Sequence, residues 1–170
     1  MAISMYQASV PLLARTLENL RHILQKGEAF AEDRGFDAGI LLQTRLVPDM
    51  LPLVRQVQIA ADMSARCAAR LAGEEPRPFA DEETTFGQLY ARLDAAIAYI
   101  EGFDAGRIDG SEGREIVVPS RNGERRFDGQ SYLLQFTLPN VFFHVTTAYD
   151  ILRQAGVALG KADYIGGGRG

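Results

Sequence analysis

The sequence predicts an all-α fold, a four-helix bundle with a small β-hairpin inserted between its third and fourth helices. Three observations predict it. Four segments repeat apolar residues at steps of three and four, the spacing that lines one face of a packed helix. A long connection separates the first segment from the second, as bundle topologies allow. Between the third and fourth, Arg121, Asn122 and Gly123 sit between two short extended runs, and Asn-Gly in that setting is a strong hairpin signal.

The first helix is expected from Ser4 to Lys26, with Tyr6, Val10, Leu13, Leu17, Leu20 and Leu24 as its seam and Gly27 ending it. Pro11 removes one helical hydrogen bond, so a kink or a late start is expected there. His22 projects opposite the seam among Arg15, Glu18 and Lys26 and reads as exposed. Phe36 to Leu42 forms one or two turns within the connection. The second helix runs from Met50 to Ala72, with Asp49 as N-cap and Pro52 in its first turn. Leu53, Val57, Ala60, Ser64, Cys67 and Leu71 make a small inner face that invites close approach or leaves a cavity. Gln56 and Gln58 project to opposite margins of that seam, and Arg55 and Asp62 to its back.

Gly73 to Pro78 breaks the chain before a third helix from Thr85 to Gly102, where Thr85 and Gln88 fit a capping box. Its seam is Phe86, Leu89, Tyr90, Leu93, Ile97 and Ile100. The acidic run Asp81, Glu82, Glu83 reads as a device favouring the helix start. In the hairpin, Arg114, Arg121, Arg125 and Arg126 make a locally basic ribbon that could receive an anionic ligand or partner, but Glu112, Glu115 and Glu124 balance it, which favours a solvated ribbon. Asp128 caps the fourth helix, Gln130 to Ala155, broken or bent near Pro139 and closed by Gly156. Val157 to Ile165 then lies back over the bundle through Val157, Leu159 and Tyr164. Residues 1–165 read as one domain and residues 166–170 as a flexible glycine-rich tail. That tail lacks the strand and helix that a phosphate-binding loop needs.

At 170 residues the chain is long enough for one real core. A net charge of -4 without a clustered basic face argues against a nucleic-acid partner. No run approaches the roughly 20 apolar residues of a membrane span, and the first residues lack a signal-peptide pattern. A single cysteine, Cys67, excludes an internal disulfide and suits a reducing compartment, so the expected location is cytoplasmic. On the small inner face, Cys67 reads as core.

The chemically suggestive residue is His144. At about 100° per residue it falls inside the apolar arc of Val141, Val145, Ala148, Ile151, Leu152 and Ala155. Gln56, Thr147 and Tyr149 are its candidate polar neighbours, while Asp150 projects away, so any orienting carboxylate must come from another helix. One reading is a small-molecule-binding or enzymatic pocket centred on His144, with the imidazole as acid, base or lone ligand. The other is a noncatalytic bundle in which His144 is a buried polar group satisfied by its neighbours. Phe143 projects off the core arc and is expected to lie under a homodimer partner or under the C-terminal segment.

The motifs SMYQAS near the start, LVPDMLPLVRQVQIA around Asp49 and Arg55, DGSEGREI after the third helix and FHVTTAYDILRQAG around His144 resemble an uncharacterised bacterial family of the DinB-like (DinB/YfiT-type metalloenzyme) superfamily. The resemblance spans nearly the whole chain. It implies a four-helix bundle, commonly dimeric, whose members often bind a divalent metal through one histidine of the second helix and a His-x-x-x-His pair of the last. Some members are similar to thiol-dependent transferases and isomerases. His144 matches the first histidine of the pair. Ala148 stands at the second, and the matching stretch of the second helix carries Gln56 and Gln58. The expectation is therefore no three-histidine metal site and no cofactor. At most, a weak divalent-metal site would be completed by water and glutamine oxygens, with His144 the only plausible ligand.

Overall fold

The computed structural model describes residues 2–120 and 122–167, so Arg121 of the hairpin and Gly168 and Gly170 of the C-terminal glycines lie outside it. The described chain is mostly helical, with one two-stranded antiparallel sheet. Four long helices, α1 (Met5–Arg34), α3 (Leu53–Ala72), α4 (Phe86–Glu101) and α7 (Leu138–Gln154), share one core, and α3 packs on α1, α4 and α7. Shorter elements are α2 (Gly39–Gln43), α5 (Ala105–Ile108), α6 (Gly129–Ser131) and α8 (Lys161–Ile165). No helix among the described residues is long and apolar enough to cross a membrane.

Ser4 and Gln7 form a capping box that starts α1. The helix then runs through Pro11 and past Gly27 to Gly35, whose φ of 70° suits a glycine and closes the last turn. Gly27 is thus not the terminator its position suggested. It is buried, and a Cβ there would lie 2.9 Å from Leu152 Cδ2. The glycine lets α7 approach α1. Pro11 costs one hydrogen bond near the start of a 30-residue helix, and burial of Val10, Leu13, Leu17, Leu20 and Leu24 carries the helix past it.

Pro52, rather than Asp49, precedes the first turn of α3. Its buried face comprises Leu53, Val57, Ala60, Ala61, Ser64, Cys67, Ala68 and Leu71, as its small-residue seam implied. Thr85 and Gln88 form the expected box at α4. On α4 the stripe includes Arg92, which is buried, whereas Ile97 is only partly so. Strand β1 (Ile116–Ser120) pairs with β2 (Gly123–Phe127) in the register Ile116↔Phe127 to Ser120↔Gly123, and Gly123, at φ 114°, opens β2.

Asp128 caps α6, accepting the Ser131 N–H at 2.7 Å. The bend expected near Pro139 takes the form of a π-helical segment, Tyr132–Thr137, leading into α7. Proline offers no N–H to the carbonyl four residues back and its ring crowds that carbonyl, and a wider turn relieves both problems. Val157 and Leu159 are buried, and α8 lies on α1. His22 consequently sits half-covered, its Nε2 3.1 Å from Asp163 Oδ1, while Lys26 donates to the same carboxylate at 3.0 Å. The exposed position expected for His22 disregarded this returning segment.

Candidate functional site

His144 projects from α7 toward α3 and is half-buried. Its Nδ1 lies 2.7 Å from Gln56 Oε1, and Gln56 Nε2 donates to the Leu51 carbonyl at 2.9 Å. These two contacts determine the protonation pattern. The Leu51 carbonyl only accepts, so the amide nitrogen of Gln56 must face it and the amide oxygen must face the imidazole. That oxygen also only accepts, so Nδ1 carries the proton. Burial holds the His144 pKa below its ordinary value. The neutral ring therefore keeps a lone pair on Nε2, which makes no hydrogen bond with the described residues. It can accept a proton, a hydrogen bond or a metal ion.

The Phe143 ring stands edge-on to the imidazole, centroids 5.3 Å apart. Phe143 is 56% exposed and Leu51 43% exposed. The exposed Phe143 ring therefore lies beside the histidine.

Of the four pocket candidates, the structure brings together His144 and Gln56. Thr147 is buried, but its hydroxyl donates to the Phe143 carbonyl at 2.7 Å, one turn back along its own helix. Tyr149 faces α8, where its ring meets Tyr164 edge-on at 6.4 Å. The second glutamine takes a different role. Gln58 Nε2 donates to Glu83 Oε2 and Gln58 Oε1 accepts from Arg55 Nη1, each at 2.7 Å.

That second cluster centres on Arg92, whose guanidinium meets Asp62 at 2.5 Å, Glu83 at 2.9 Å and Asp81 at 3.0 Å, and donates to the Ala80 carbonyl at 2.7 Å. Its side chain is 1% exposed. The acidic run before α4 is thus an ion-pair clamp on α3 and α4, beyond the helix-start role expected for it. Burial pushes the Asp62 carboxyl up, and Arg92 and Arg66 offset only part of that. Burial also raises Glu83, but hydrogen bonds from Arg92 and Gln58 outweigh it and leave its pKa lowered. Sequence reasoning overlooked Arg92. The available signal was an arginine inside the α4 apolar stripe, between Leu89 and Ala96, downstream of three acids.

A metal site of the three-histidine kind does not fit this donor set. His144 Nδ1 is committed to Gln56, and one turn on, Ala148 presents a fully buried methyl group. Among the described residues, no three His, Cys, Asp or Glu side chains are grouped to hold a metal ion.

Comparison with known proteins agrees with this architecture. Residues 5–165 match the family model described as Domain of unknown function (DUF1993). Among solved structures, the chain is similar to the crystal structure of a DinB family member protein from Shewanella denitrificans. The two share 38% identity over 94% of this chain and 90% of that one, with a TM-score of 0.88. No curated protein matches. The chain belongs to the DUF1993 family of DinB-like proteins.

Proposed function

We propose that this chain is a DinB-type four-helix bundle, its hairpin inserted between the third and fourth long helices, that binds a small molecule at His144 without the three-histidine metal site. The observation that carries the reading is the relay from the Leu51 carbonyl through Gln56 to His144 Nδ1. Such a relay orients an imidazole whose other nitrogen is used. The ligand it suits has an apolar body, lying against Phe143 and Leu51, and one N–H or O–H that donates to Nε2. Thiol-dependent transfer would need an external thiol, because Cys67 is fully buried.

The test is native mass spectrometry and elemental analysis of untagged protein purified without added metal, alongside His144→Ala. A copurified small molecule present in the wild type and lost in the variant is the expected result. Near-stoichiometric zinc, nickel or iron, lost in the variant, would overturn the reading in favour of a metal centre.

The same proposal includes a cytoplasmic homodimer formed through the Phe143 face. Phe142 is 37% exposed beside Phe143, and burying two neighbouring phenylalanines removes a large apolar area from water. Light scattering at micromolar concentration should give the dimer mass, and Phe143→Asp should give monomer. A wild type that is monomeric throughout contradicts it.

A further inference from the structure

A second polar cleft lies at the other end of α3, about 20 Å along that helix from Gln56 at 1.5 Å per residue. It has a volume of about 470 Å³ and lies between the end of α3, the segment that follows it and the first strand of the hairpin. We propose that it binds a small oxyanion, a carboxylate or phosphate group, held between Arg70 and Arg114.

Two features carry the inference, and a third supplies a test of it. First, both guanidiniums are placed by the fold. Arg70 Nη1 donates to the Tyr132 hydroxyl at 3.0 Å, and Tyr132 is fully buried at the start of the π-helical segment. Arg114 lies against Gly73, where a Cβ would collide with Nη1 and stand 2.9 Å from Cζ. Gly73 is needed for its φ of 77° at the end of α3, and its missing side chain also admits the arginine.

Second, the nearby acids are largely engaged elsewhere. Glu74 pairs with Arg107 and Glu115 with Arg126. Neither Arg70 nor Arg114 forms an ion pair with a carboxylate among the described residues, although Glu74, Glu75 and Glu115 line the same cleft, so both guanidiniums keep free donors there. Such forks match planar and tetrahedral oxyanions.

Third, the remaining acid of the cleft, Glu75, is exposed and has no ion pair among the described residues. It competes with an incoming anion. Its removal should therefore strengthen binding.

The experiment is a titration of the full chain with inorganic phosphate and, separately, succinate, each at constant ionic strength set with sodium chloride, followed by amide chemical shifts. Saturating shifts at Gly73 and Ile116 are expected. A tighter response to phosphate would point to a phosphate-bearing ligand, and a tighter response to succinate to a carboxylate. Arg114→Gln, at an exposed position, should weaken binding about tenfold, as loss of a charge-assisted contact does. Arg70→Gln should weaken it similarly, and Glu75→Gln should tighten it. Linear shifts that chloride reproduces, or an affinity unchanged in Arg114→Gln, would overturn the proposal. Neither result bears on His144.

Discussion

Arg92 Nη2 sits 2.5 Å from Asp62 Oδ1, joining α4 to α3 with a guanidinium whose side chain is 1% exposed. Two further carboxylates, Asp81 and Glu83, reach the same group from the segment before α4. A buried cation surrounded by three acids is a poor source of net stability compared with a well-packed apolar group, but removing it strands the acids. Arg92→Ala should cost about 3–5 kcal/mol, read from denaturant unfolding. Arg126→Ala on the exposed hairpin should leave stability little changed. Equal effects of the two variants would show that the clamp does not hold the segment.

Gly27 and Leu152 make a second testable contact. Alanine in a helix interior is favoured over glycine by about 1 kcal/mol, yet a Cβ at Gly27 would press on Leu152 Cδ2 at 2.9 Å and Cδ1 at 3.2 Å. Overpacking of this kind costs about 1–3 kcal/mol, so Gly27→Ala should be destabilising overall. In a Leu152→Ala background the same change should become stabilising by about 1 kcal/mol, its helix-propensity gain. A double-mutant cycle with no coupling would contradict the packing role of Gly27.

Cys67 is fully buried, and burial pushes its thiol from 9.0 up to about 12. The native protein should therefore react with a thiol reagent at pH 8 only as fast as it opens. Between pH 9.0 and about 12 the unfolded chain loses this proton while the folded chain keeps it, so stability should fall as pH rises through that window. Rapid stoichiometric labelling of native protein would contradict this environment.

Local signals proved legible where short-range chemistry decides the outcome. The Thr85–Gln88 box and the Asp128 cap are each formed within a few residues of one another. Gly27 misled because a glycine after an apolar seam looks the same whether it ends a helix or receives a distant leucine. Arg92 escaped notice for the same reason, since Asp62 is 30 positions away in sequence. At the candidate site, His144 and Gln56, one of its three candidate neighbours, meet across 88 positions of sequence. Thr147 and Tyr149 make their contacts elsewhere, because a projection gives the direction of a side chain and not the partner it chooses. Thr147 turns back to its own helix, and Tyr149 meets Tyr164 of the returning segment, whose docking position on the bundle the sequence does not specify.

The proposed role of His144 depends on the state of its ring, and ¹⁵N spectroscopy of the imidazole reads that state directly. At pH 7.5 the account predicts a neutral ring with the proton on Nδ1 and a pyridine-like Nε2, and Gln56→Leu should mix the tautomers. On acidification the ring should titrate below its ordinary 6.5, because burial lowers the folded value. The unfolded chain then takes up the proton first, so stability should decline as pH falls from 6.5 through that lower value. A ring protonated on Nε2 at pH 7.5, or one titrating above 6.5, would contradict the relay from Leu51 through Gln56 and with it the proposed role of His144.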